Sequence, residues 1–183
     1  MNIDNEKYRV NHYFRNAAVS YAVEHALLPN TSYRYFPLQG DGGGDCSNFI
    51  SQCLYAGGAP LDFGPISPWW YKNKGTSKVY DATWSVSWAV AHSLYWTLKV
   101  RYEHRILGLK AVEVSDIGLL EAGDLIQYER ERGFIYHSAI VTSFTDSGGK
   151  RVPLITQHTY NALNISHIKP KASKMHFMKI IVD

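Results

Sequence analysis

The sequence predicts an α+β fold, with N-terminal helices packed on a C-terminal antiparallel sheet. Two observations carry this. Apolar residues in the first half recur at close to a 3.6-residue period, whereas the second half breaks into short runs rich in Ile, Val, Thr and aromatics between polar turns. Helices first and strands second argue against a doubly wound sheet, in which the two alternate. At 183 residues the chain fits one domain, taken here as residues 1–183.

The first helix is expected over residues 13–28, with Phe14, Ala17, Ala18, Tyr21, Ala22, Ala26 and Leu28 on its apolar face and Pro29-Asn30 stopping it. A glycine-rich loop, Gly40-Asp41-Gly42-Gly43-Gly44, leads into a second helix over residues 46–56. Asp45 is its N-cap, Gly57-Gly58 its C-cap, and Pro60 lies just beyond. On that helix Cys46, Phe49, Ile50 and Cys53 share a face. Residues 61–78, rich in Pro, Gly and aromatics, read as a loop packed over the domain. A third helix is expected over residues 83–99, with Val86, Ala89, Val90, Leu94 and Leu98 in the core and Trp84, Trp88 and Trp96 as further candidates. Strands are expected at 124–128, 134–144, 154–159 and 175–182, with turns at 130–133 and 146–149.

Composition narrows the function. Hydrophobic residues make up 45% and charged residues 19%, against a charged share of about 25% in typical domains, which excludes a disordered or highly charged tail. Lys and Arg number 19 and Asp and Glu 16, a formal net charge of +3. No dense basic stripe points to nucleic acid. No run approaches the roughly 18 apolar residues of a membrane span. The start Met1-Asn2-Ile3-Asp4-Asn5-Glu6 lacks the basic and apolar regions of a signal peptide, so none is expected in this chain. The only cysteines are Cys46 and Cys53. On one helix they are separated by a rise of roughly 10.5 Å, beyond the about 7 Å that a disulfide tolerates.

Cys46 is the most informative residue. The thiolate is the reactive form of cysteine, and a helix N-terminus favours it through unpaired N–H groups and the helix dipole. The glycines before it let the backbone approach a substrate closely and leave N–H groups to face an oxyanion. Cys53, in mid-helix, reads as a buried, inert cysteine. A thiol nucleophile needs an imidazole partner. Of eight histidines, His137 and His158 fall on strand-like segments. In the run 134–144, Ile135, His137, Ala139 and Val141 alternate on the more apolar face, which is expected to pack on the helices and carry His137 toward Cys46. His158 shares a face with Leu154 and Thr156 and is expected beside His137 on the adjoining strand. Either histidine alone is more often structural; with Cys46 the pair favours chemistry.

Other chemistries fit less well. Closed zinc sites use four ligands, usually in close pairs such as Cys-x2-Cys, and the spacings here offer none, so no metal is expected. The glycine run has no following lysine and no preceding strand, unlike a phosphate-binding loop. Most aromatic rings between residues 63 and 102 are expected to fill the core. Trp69, Trp70 and Tyr71, on the loop, are candidates to line a groove for sugar or peptide.

Two segments, Phe14-Arg15-Asn16-Ala17-Ala18-Val19-Ser20-Tyr21-Ala22 and Gly44-Asp45-Cys46-Ser47-Asn48-Phe49-Ile50-Ser51-Gln52-Cys53-Leu54, resemble the bacterial "putative amidase domain" family. Ala56-Gly57-Gly58-Ala59-Pro60, Trp70-Tyr71, Ser87-Trp88, Gly123-Asp124-Leu125-Ile126-Gln127-Tyr128, His137-Ser138-Ala139-Ile140-Val141-Thr142 and Gln157-His158-Thr159 fit it too. The resemblance covers most of the chain, from residue 13 to 161. It implies a papain-like fold of the NlpC and CHAP type of cell-wall hydrolase, with a Cys nucleophile at a helix N-terminus, a His base and a third polar group that orients the base. Cys46, His137 and His158 match that order, with Gln157 and Asn161 as alternatives for the third position. Tyr21 is expected to aid the oxyanion site, by analogy with related folds, and Asp45 and Ser47 flank the nucleophile as positioning candidates. The activity implied is that of a cysteine amidohydrolase or endopeptidase that forms a thioester, needs no cofactor, and acts on peptide or peptidoglycan stem-peptide amides in the cell envelope or outside the cell. The alternatives are acyl transfer from the same thioester and a non-catalytic glycan- or peptide-binding module.

Overall fold

A computed structural model describes residues 12–38, 43–73 and 81–183. Gly40, Asp41 and Gly42 of the expected glycine-rich loop, the N-terminal residues 1–11 and the stretch 74–80 lie outside the described residues.

Helices come first. The helix α1 (Arg15–His25) buries Ala18 and Ala22, whose small side chains let it lie close to its neighbour. It stops three residues short of the expected end, and Phe14 and Leu28 are exposed. The helix α2 (Cys46–Ala56) has the predicted bounds, but its burial is not confined to one stripe: every residue from Cys46 to Leu54 is buried. A helix buried all round must satisfy its polar side chains internally. Ser51 Oγ donates to the Trp88 carbonyl at 2.9 Å and accepts the Trp69 indole N–H at 3.1 Å. Asn48 Oδ1 accepts the Trp88 indole N–H at 2.8 Å, and Gln52 Oε1 accepts the Tyr21 hydroxyl at 2.7 Å. These bonds fix the surrounding segments on α2.

The expected third helix is in fact three elements. After a two-residue ribbon of β1 (Tyr71–Lys72) and β2 (Thr83–Trp84) come α3 (Val86–Ala89) and α4 (Ala91–Glu103). Val90 between them is extended, at φ −115° and ψ 121°. That break rephases the helix, so Val86, Val90 and Trp96 are exposed while Trp88, Leu94 and Leu98 reach the core. Arg101 of α4, buried, binds the carbonyls of Leu107 and Leu109 at 2.5 and 2.6 Å and the Asp62 carboxylate at 2.5 Å, which ties the aromatic loop to the sheet.

The sheet is six-stranded and antiparallel, in the order β3 (Leu109–Val114), β8 (Lys174–Val182), β4 (Leu125–Glu129), β5 (Ile135–Ser147), β6 (Lys150–Gln157), β7 (Ala162–Ser166). Four of these strands overlap the expected ones; β3 and β7 were not anticipated. Ile140 pairs with Thr156, which brings the start of β5 beside the end of β6. The face prediction for β5 holds for Ile135, which joins the helix-side core, and is corrected for Ala139 and Val141. Ile140 joins the helix-side core, and Ser138 Oγ lies 3.5 Å from Ser47 Oγ of α2. Ala139 and Val141 instead pack with Tyr128 and Ile155 in a second apolar cluster. Both faces of the sheet are covered, so apolar alternation did not distinguish them.

Candidate active site

Gly44, at φ +98°, turns the chain into α2. Asp45 occupies the N-cap position, but its carboxylate does not cap the helix. Its Oδ1 accepts the Phe36 N–H at 3.0 Å and the Asn48 amide at 2.8 Å, and its Oδ2 lies 2.6 Å from His158 Nδ1. Cys46 follows, 6% exposed. Its N–H donates to Thr159 Oγ1 at 3.1 Å. Thr159 has φ +80°, a left-handed conformation that costs a β-branched residue on the order of 1–3 kcal/mol. A Cβ at position 44 would stand 2.6 Å from Thr159 Oγ1, so Gly44 is required both by its φ and by this close approach.

His137 opens onto a cavity of about 680 Å³ that Cys46 also lines. Its Nε2 is 2.8 Å from Gln157 Oε1. The Gln157 amide donates to the Tyr160 carbonyl at 2.8 Å, which fixes Oε1 toward the imidazole. Nε2 therefore carries the proton and Nδ1 the lone pair. Burial holds the His137 pKa down at about 4, against the hydrogen bond that its Nε2–H donates to Gln157 and with help from the positive charge of Lys169. Burial also pushes the Cys46 thiol up, although hydrogen bonds from Ser138, Ser47 and Thr159 oppose the rise. The expected lowering by the helix start is thus outweighed, and near neutral pH the two groups are a thiol and a neutral imidazole.

The remaining candidates are distributed differently. His158 does not reach His137: its two ring nitrogens meet Asp45 and the His25 carbonyl, the latter at 2.8 Å, and its ring stacks on Phe49. The third position beside His137 is held by Gln157, while Asn161 is exposed. The Tyr21 hydroxyl is engaged by Gln52 and by Asn30, at 3.0 Å, and is not among the residues lining the cavities at Cys46. Ser47 Oγ sits 3.9 Å from the Cys46 sulfur and 3.5 Å from Ser138 Oγ, so it backs the thiol from the interior. The groove expectation for the loop aromatics is corrected. Trp69 is fully buried, Tyr71 is buried with its hydroxyl accepting the Arg34 N–H, and Trp70 stacks on Phe63. The aromatic wall beside Cys46 comes instead from Phe36, Trp84, Phe134 and Tyr136, around a second cavity of about 560 Å³. Lys169 and Arg130, which line the His137 cavity, were also unforeseen. No periodicity marks them; they follow strands whose ends only the pairing brings together.

Residues 12–180 match the family described as "Putative amidase domain". The chain is 37% identical over 153 residues to the uncharacterized protein YhbB of Bacillus subtilis, covering 82% of this chain and 42% of that protein. It is 29% identical over 160 residues to the uncharacterized protein YjcM of the same organism, covering 81% and 31%. It thus spans less than half the length of these relatives. No solved structure matches it significantly. With the match running over nearly the whole chain, from before α1 into β8, the protein belongs to the putative amidase domain family.

Proposed function

We propose that this chain is a cysteine-dependent amidase or endopeptidase of papain-like architecture, with Cys46 as nucleophile, His137 as base and Gln157 as the group that orients the base. One observation carries the reading: a thiol at a helix start and an imidazole share a cavity, and the far nitrogen of that imidazole is held 2.8 Å from a fixed amide oxygen. Because these residues come from α2, β5 and β6, the reading also favours one domain over residues 1–183.

The chemistry follows from the protonation states. His137 Nδ1 takes the Cys46 proton as the sulfur attacks the amide carbon, so the S–C bond forms as the thiol is deprotonated. The substrate oxygen, now negative, takes the place of Thr159 Oγ1 at the Cys46 N–H. The imidazolium then protonates the leaving nitrogen and the C–N bond breaks, leaving a thioester. Water attacks that carbonyl, gives its proton to His137, and the proton returns to sulfur as the acid departs. Peptidoglycan stem peptides are the proposed substrates, on the resemblance to cell-wall hydrolases. Mass spectrometry of purified peptidoglycan treated with wild type and with Cys46→Ala tests this. New amine and carboxyl ends are expected from the wild type alone; their absence with wild type, or their presence with Cys46→Ala, overturns the reading.

A further inference from the structure

The cavity shared by Cys46 and His137 carries charge of one sign. Lys169, Lys171 and Arg130 line it, and among the described residues no Asp or Glu does, in a chain with 19 basic and 16 acidic residues. Among the described residues none of these three cations is in an ion pair. Two of them rest on aromatic faces instead. Lys169 Nζ lies 5.3 Å from the Tyr128 ring centroid, and the Arg130 guanidinium 4.9 Å from that of Tyr136. Such contacts hold a cation in place without cancelling its charge. Lys169 is half-buried, and burial pulls its pKa down, the strain expected of a desolvated ammonium with no counter-charge.

The direction of the reaction fixes which half of a substrate meets this wall. His137 gives its proton to the leaving nitrogen, so the leaving half lies in the limb of the site that contains His137. That limb is the one lined by Lys169 and Lys171. The limb beyond Cys46, walled by Phe36, Trp84 and Phe134 and lined also by Arg34 and the shared Arg130, receives the acyl half, so Lys169 and Lys171 are the cations that belong to the leaving-group limb alone. Resting on the amidase reading above, we infer that the site selects amides whose leaving half bears a carboxylate, anchored by Lys169 with Arg130 and Lys171 at the rim.

The test separates binding from turnover. Cys46→Ala protein is titrated with the dansyl-labelled stem peptide L-Ala-γ-D-Glu-L-Lys-D-Ala and with two analogues, one carrying a carboxamide at the D-Glu α-carboxylate and the other at the terminal D-Ala. One carboxamide is expected to weaken binding on the order of tenfold, in line with a charged hydrogen bond that solvent partly screens. Adding Lys169→Gln is expected to make the acid and that carboxamide bind equally. Lys169→Arg is expected to keep the preference, and so is Lys150→Gln, which removes one charge from an exposed position at the start of β6. Thermal unfolding checks that each variant is folded. Equal or no binding of all three peptides to Cys46→Ala overturns the inference, as does a Lys169→Gln loss that is the same for acid and carboxamide. A Lys169-dependent preference in a protein whose wild type cleaves neither peptides nor peptidoglycan would leave the carboxylate site standing and remove the amidase reading.

Discussion

At Cys46 two effects oppose each other: the helix start favours a thiolate, and burial favours the thiol. Burial wins, and the same burial holds the pKa of His137 at about 4. On the proposed reading the base works only when neutral, so protonation of His137 is expected to set the acid limb of the rate. For kcat/KM that limb is expected near pH 4, well below the about 6.5 of an ordinary histidine. A pH profile on a cleaved stem peptide measures it, and an acid limb near 6.5 would mean that His137 is solvated or is not the base. Thiol chemistry gives a second reading of the same site. Iodoacetamide is expected to modify Cys46 faster than Cys53, whose thiol burial pushes up much further, and the Cys46 rate is expected to keep climbing into the alkaline range. Equal labelling of both cysteines, or a Cys46 rate already level at neutral pH, contradicts this account.

At the scale of elements, the end of β6 divides its work between neighbours: Gln157 reaches His137, and His158 pins the segment to the start of α2 through Asp45. Their substitutions are therefore expected to fail differently. Both side chains of the Asp45–His158 pair are 1% exposed, and His158→Ala leaves the carboxylate buried without that partner, a loss of about 3–5 kcal/mol of stability. Gln157→Ala removes one hydrogen bond, about 1 kcal/mol, but frees the imidazole to rotate, and kcat is expected to fall on the order of ten- to a hundredfold. Urea unfolding and turnover on both variants decide it; a stable, slow His158→Ala beside a fully active Gln157→Ala would return the orienting role to His158. This division was only half legible in the sequence. The bounds of α2 could be read because local signals set them: glycines before Cys46, and Gly57 after Ala56. The break at Val90 was not legible, since an apolar period runs through it and tertiary packing alone decides where the helix restarts. Nor was β3, in which Lys110 is buried against Asp183 at 2.7 Å and breaks the apolar alternation. Which of positions 157, 158 and 161 meets His137 depends on the pairing of β5 with β6 and on the turn after it, and no local pattern encodes either.

Over the whole molecule, a half-buried ionic cluster joins α4 to three strands. His176 Nδ1 of β8 lies 2.6 Å from Glu113 Oε1 of β3, and its Nε2 2.7 Å from Glu129 Oε2 of β4. Lys99 and Tyr95 of α4 donate to Glu113 Oε2 at 2.7 and 2.8 Å. Burial raises the Glu113 pKa, but the hydrogen bonds from Lys99, His176 and Tyr95 outweigh it and hold the carboxyl at about 2. A carboxyl whose folded pKa is depressed contributes stability that is fully present above its unfolded value, about 4.3, and is lost as pH falls through its folded value. For Glu113 that window runs from about pH 4.3 to about 2. His137 acts earlier by the same sign, because its folded value of about 4 lies below the about 6.5 of the unfolded chain. Acid is therefore expected to weaken the fold in two stages, the first below about pH 6.5 from His137 and the second below about 4.3 from Glu113. Solvent reaches Glu113, whose side chain is 24% exposed, so the second stage is the more screened by salt. Thermal unfolding from neutral pH down to about 2, at low and high salt, resolves the stages. Glu113→Gln is expected to lower Tm at neutral pH and flatten the second stage while leaving the first, and His137→Gln to flatten the first alone. If Glu113→Gln loses as much Tm below about pH 4.3 as the wild type does, the acid sensitivity of the fold lies outside this cluster.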